Sequence, residues 1–133
     1  MGPAMTPAER ARQLARLKRV AEARRDSDLA ALAAVSARLA AAERVREDLA
    51  LALAAEVRKA IARPEVPTFR ALDMHLVLSE RTKSAIEARI AGIAEEREAL
   101  RAVAAVSFGR AAVLEKLADR VTFPRPTMAT RER

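Results

Sequence analysis

The stretch Arg63-Pro64-Glu65-Val66-Pro67-Thr68 divides this 133-residue chain into two arms of nearly equal length. Before it, from Pro7 to Ala62, there is no glycine and no further proline. After it, from Phe69 to Val121, there is again no proline. Proline inside a helix removes a hydrogen bond and collides with the preceding turn, and it pushes the residue before it out of the helical region. Two prolines three residues apart therefore predict a stop and a short turn between two long helices. The fold expected is all-α: a long antiparallel two-helix coiled-coil hairpin, with helices over 7–63 and 68–122 and a turn at 64–67. Each arm as one helix would run roughly 80 Å. Such a rod leaves little room for a pocket.

Composition supports the slender reading. Alanine fills 33 positions, and the chain has three Phe, no Tyr and no Trp. Compact cores usually rely on large aromatic side chains, so seams of Ala, Leu, Ile and Val are expected instead. The absence of cysteine removes disulfides and thiolate metal ligands and fits a reducing, cytoplasmic setting. No signal peptide and no uncharged run of about 20 apolar residues is visible, so no membrane span is expected. The opening Met1-Gly2-Pro3 formally allows acylation at Gly2, but Pro3 is a poor neighbour for it. Residues 1–6 read as a disordered start or a protease-site remnant, with Met5 the natural beginning. Residues 123–133, from Phe123-Pro124-Arg125-Pro126 onward, read as a basic flexible tail.

Thr6-Pro7-Ala8-Glu9 predicts a capped helix start, with Glu9 completing a capping box. The first arm's apolar stripe begins at Leu14, Leu17 and Val20/Ala21. Ala23–Asp28 interrupts it. It resumes at Leu32, Val35, Leu39, Ala42, Val45, Leu49, Leu53, Val57 and Ile61, with a stutter at Val57. In the second arm Thr68 is the expected cap. One heptad position there reads Leu72, Ser79, Ile86, Ile93, Leu100, Ser107, Leu114, Val121. The other reads Leu76, Lys83, Ile90, Arg97, Ala104, Ala111, Ala118. Polar residues in such seams usually fix register. A turn centred near residue 66 places Ser107 opposite Arg24–Asp28, and the loosest packing is expected there. Gly92 reads as a close helix contact or a tolerated residue, with a flex point as the functional alternative.

The net charge of +7 is uneven. Residues 9–25 carry seven basic groups against two acidic ones, whereas 26–119 carries 14 against 15. In a hairpin the two chain ends meet, so the excess gathers at the tip away from the turn, where it would attract an acidic protein surface, nucleic acid or an anionic membrane. No aromatic residues interleave with Arg10–Arg25 to stack bases, which disfavours nucleic acid. No catalytic, cofactor or metal constellation is apparent. His75 is the only histidine, the glycines are far apart, and Glu95, Glu96 and Glu98 read as a solvated face. An enzyme is not expected.

Phe108 lies beside the seam and, with Val103, Val113 and Leu117, is expected to form a second apolar strip, either flanking core or a docking face. The run Phe108-Gly109-Arg110-Ala111 followed by Leu114-Glu115-Lys116-Leu117, on the second arm of such a hairpin, resembles the FliJ family of flagellar type III export proteins. The resemblance implies a non-enzymatic antiparallel coiled coil, similar to the central shaft of rotary ATPases. Such a stalk and escort binds the export ATPase ring, the export gate protein and export chaperones, in the cytoplasm at the flagellar base. The tip holding both termini would enter the ring. Contacts expected at that tip are Arg10, Arg16, Lys18, Arg19, Arg120 and Arg125. Phe108, Arg110, Glu115 and Lys116 are contacts implied by the resembling stretch. Two other classes stay open: a scaffold hairpin dimerising through the Leu29–Ile61 face into a four-helix bundle, and a nucleic-acid accessory protein using the basic tip.

Overall fold

A computed structural model describes residues 4–122. The chain is an all-α hairpin of two long helices packed against each other: α1, Pro7–Ala62, of 56 residues, and α2, Val66–Thr122, of 57 residues. Residues 1–3 and the expected tail 123–133 lie outside the described residues.

The start of α1 is the reciprocal capping box the sequence predicts. The Glu9 backbone N–H donates to the Thr6 hydroxyl at 3.2 Å, and the Thr6 N–H donates to the Glu9 carboxylate at 3.2 Å. Two helix-start donors that would otherwise lack protein partners are satisfied at once. The start of α2 differs from expectation. The Phe69 N–H donates to the Glu65 carbonyl at 3.0 Å, so Glu65, not Thr68, is the capping residue and Pro67 lies inside the first turn. Proline is tolerated there because a first-turn N–H has no intrahelical acceptor to lose. The non-helical link shrinks to Arg63, Pro64 and Glu65, closed by a Glu65 N–H to Arg63 carbonyl bond of 2.8 Å.

Packing divides the chain into two compact units, one of Met1–Leu32 with Leu100–Arg133 and one of Ala33–Ala99. In the first unit, α1 turns Ala11, Leu14, Lys18, Ala21, Arg25, Asp28 and Leu32 inward, all half-buried. Those steps of four and three run through the polar stretch without a break. Arg25 and Asp28 occupy seam positions and do not interrupt the repeat, while Leu17 and Val20 fall beside it, 46% and 64% exposed. From α2 come Leu100, Leu114 and Ala118, half-buried, and Ala104, Ser107 and Ala111, buried. Ser107 donates a hydrogen bond to the Asp28 carboxylate, which bears out the register. The expected loose spot is therefore a matched polar pair.

In the second unit Val35, Leu39, Ala42 and Ala60 of α1 and Ile93 of α2 are buried. Ile86, Ile90 and Arg97 are half-buried beside them. Arg38 donates through Nη1 to both oxygens of Glu96 at 3.1 Å, joining the helices, so Glu96 is not simply solvated. Ala60, seven residues after Leu53, holds the seven-residue spacing. No stutter occurs, and Ile61 is left 71% exposed, as Val45 is at 53%. Gly92 has open space where a Cβ would stand, so close helix contact does not explain it.

Candidate partner-binding surface

The sequence-predicted contact residues Arg10, Arg16, Lys18, Arg19, Phe108, Arg110, Glu115, Lys116 and Arg120 all belong to the first unit. Arg125 lies outside the described residues. Over 4–32 and 100–122 this unit carries eleven basic and six acidic residues. Four of the six carboxylates are engaged: Glu9 in the helix cap, Glu22 by Lys18 at 3.9 Å, Asp26 by Arg25 at 3.1 Å, and Asp28 by Arg24 at 3.5 Å and by Ser107. Among the described residues Arg10, Arg16, Arg19, Arg110, Lys116 and Arg120 make no ion pair within 4.0 Å, and all are exposed. Lys18 differs from the others. It is half-buried at a seam position and held by Glu22, so it is a packing residue more than a contact.

An open apolar groove of about 550 Å³ runs along one flank of this unit, between Leu17, Val20 and Arg24 of α1 and Arg110, Val113 and Leu114 of α2. Each of Leu17, Val20, Arg24, Arg110 and Val113 stands one residue before a seam position. In an antiparallel pair these flanks meet on the same side. Gly109 also lines the groove, and nothing lies within 4 Å of where its Cβ would be. The groove therefore combines exposed aliphatic surface with the Arg110 guanidinium and with that of Arg24, which is paired with Asp28. It suits a ligand that is apolar on one face and anionic beside it.

Phe108 is not part of this groove. At about 100° per residue it points away from the Val103–Val113–Leu117 line by roughly 170°. The single apolar strip expected from the sequence is thus two separate flanks. One bears Val103, Val106, Val113 and Leu117. The other bears Phe108, 59% exposed, with Glu115 two turns on. The side of the groove supplied by α1 was not recognised as such in the sequence, because Leu17 and Val20 read as seam residues. The signal for it was Lys18 and Arg25 at the seven-residue spacing of Ala11 and Leu32.

The second unit holds a different groove, of about 530 Å³, close to the link between the helices. Leu49, Leu53 and Val57 of α1 and Leu76 of α2 form its apolar part, and Arg46, Arg58, Glu80 and Lys83 stand around it. Here the seam opens. Arg46 and Lys83 both occupy seam positions and both are exposed; two like charges cannot close over a dry core. Leu76 is left 42% exposed at the heptad position predicted for it. The expectation of little room for pockets gives way to these two open grooves. His75 Nε2 stands 3.8 Å from Glu56, at the surface. The Leu29–Ile61 dimer face does not survive intact: Leu32, Val35, Leu39, Leu49 and Leu53 turn toward the intramolecular seam, and Glu43, Arg44 and Glu47 break up the remainder.

No helix among the described residues is long and apolar enough to cross a membrane. No protein-family model, curated protein or solved structure matches the chain.

Proposed function

We propose that this chain is a non-enzymatic, partner-binding coiled-coil hairpin, and that it serves as a stalk or escort in flagellar type III export. The observation that carries the partner-binding reading is the first unit's exposed, unpaired basic side chains beside an open apolar groove. The second unit balances eleven basic residues with eleven acidic ones, whereas residues 4–32 and 100–122 of the first carry eleven against six, an excess that an acidic partner would neutralise. The export assignment comes from the resemblance of Phe108-Gly109-Arg110-Ala111 and Leu114–Leu117 to the FliJ family. It is supported by the exposure of Phe108, Arg110, Glu115 and Lys116. An acidic ring lumen and an export gate surface are the partners this reading implies. Long-range attraction would speed the encounter and the apolar groove would hold the complex.

The test is the steady-state rate and hexamer fraction of the same organism's flagellar export ATPase, with and without this protein. Stimulation is expected. It should be lost on reversing the exposed charges in Arg16→Glu/Arg19→Glu/Arg110→Glu, with the helix content of the variant unchanged. Lys18 is left intact so that the seam is not disturbed. Absence of both stimulation and co-elution with the native chain would remove the export assignment.

A further inference from the structure

The charges of the first unit are sorted by side. On α1 over 10–31 and on α2 over 103–120, the residues one place before a seam position include Arg10, Arg24, Arg110 and Arg120 and no Asp or Glu. This is the flank of the groove, and its aliphatic side chains, among them Leu17, Val20, Val113 and Leu117, are all exposed. Glu22, Asp26, Glu115 and Asp119 stand one place after a seam position, on the other side of the helix pair. Glu9 is in the cap and Asp28 in the seam. Two heptads from the Arg38–Glu96 pair, the corresponding places are Arg24 and Arg110, and both line the groove. Like charges thus stand where the second unit has a cross-helix pair.

The second unit is sorted the opposite way. Over 36–57 and 77–98, the residues one place after a seam position include Glu43, Glu47, Glu80, Glu87 and Glu98 and no Lys or Arg. The unit's basic residues are in the seam, such as Arg46 and Lys83, on the outward face, such as Arg44 and Arg81, or on the other flank with Arg38. Glu43, Glu47, Glu80 and Glu87 are exposed, and small residues such as Ala40, Ala50, Ala91 and Ala94 separate them. One flank therefore offers bulky aliphatic side chains among arginines, and the other offers alanines among glutamates. Large side chains set against small ones interdigitate. In the register set by Asp28–Ser107 and Arg38–Glu96, each set of charges spreads over roughly 20 Å along the helices.

We infer that the basic flank of the first unit docks the acidic flank of the second unit of another copy of this chain. The chain itself carries the complementary surface, which singles out a second copy among acidic occupants. Neither flank pairs with its own kind, because like charges would meet. The contact is therefore heterologous: each copy offers both halves, and association continues from copy to copy unless it closes into a ring. The basic flank is also the one proposed for an export partner, so a second copy seated there excludes that partner. The inference does not rest on the export assignment.

The experiment is sedimentation equilibrium of the full chain from about 1 to 100 µM, at ionic strengths of about 20 mM and about 300 mM. At low salt the average mass is expected to rise above 14.5 kDa with concentration, and at high salt to rise much less. Arg110→Glu/Arg120→Glu and Glu43→Lys/Glu47→Lys each bring one flank close to neutral and change only exposed side chains. Each variant should associate with itself at least about tenfold more weakly than the native chain, with circular dichroism unchanged. Mixed in equal amounts, the two should associate again and stop at pairs, through the acidic flank kept by the first and the basic flank kept by the second. Arg12→Glu/Arg19→Glu removes as much charge from the other side of the first unit and should not weaken association. A chain that stays at 14.5 kDa at low salt overturns the inference. So does a mixture no heavier than its components, association that survives intact in either flank variant, or an equal loss in Arg12→Glu/Arg19→Glu. The ATPase rate tests the export assignment separately, so a chain that stays monomeric yet stimulates the ATPase removes this inference alone.

Discussion

Ser107 is 6% exposed in a seam otherwise filled by alanine and leucine, so its hydroxyl is costly unless something accepts its proton. Asp28 accepts it, and Asp28 is also held by Arg24 at 3.5 Å. The pair is worth most as a register lock, because a shift of α2 along α1 would bury one group without the other. Asp28→Ala is therefore expected to lower stability by about 1–3 kcal/mol, the cost of an unsatisfied buried polar group. The same change in a Ser107→Ala background should cost much less. Thermal melts of the four proteins give the coupling energy; a value near zero would mean the two groups do not act together. Arg97 is the opposite case at a seam position: its Nε is buried with no hydrogen-bond partner. Sequence periodicity marked both residues as polar seam positions but could not tell them apart, since the partner that satisfies Ser107 is 79 residues away.

At the level of the elements, α1 starts where local chemistry dictates, because a capping box needs only residues within four of each other. The α2 start moved from the expected residue because Pro67 punctuates a sequence without ending a helix: the first turn has no bond for it to break. The heptad of α2 was legible over nearly its whole length. That of α1 was misread at Leu17, Val45 and Ile61, where choosing apolar residues meant stepping off a spacing kept by Lys18, Arg46 and Ala60. Gly92 offers a test of what the helices themselves contribute. Nothing lies within 4 Å of a Cβ built there, so Gly92→Ala should add about 1 kcal/mol through helix propensity alone. Denaturant unfolding with an unchanged m-value checks this. A destabilised variant would show that the glycine is needed for a backbone adjustment.

At the scale of the molecule, charge is the organising quantity. The formal net charge is +7, and residues 4–32 and 100–122 of the first unit hold eleven basic groups against six acidic ones. Self-repulsion among unpaired arginines destabilises the folded state and is relieved by salt. Raising ionic strength from about 20 mM to about 300 mM shortens the screening length from roughly 20 Å to roughly 6 Å. The melting temperature of the free protein should rise by a few degrees over that range. A fall would mean that the cross-helix pair Arg38–Glu96 and the short-range pairs outweigh the repulsion. The same salt increase should weaken binding of an acidic partner to the first unit.

The sequence by itself determined the helical hairpin, its cap, its register to within a residue and the location of the charge excess. All of these follow from local sterics, from the period of apolar residues or from counting. The tertiary structure decided which polar residues are seam partners and which are contacts. It also decided where the seam opens and which flanks combine into a groove. Those depend on residues brought together from opposite arms, such as Arg46 with Lys83 or Val20 with Val113. No pattern within one arm encodes the face on which its neighbour will lie.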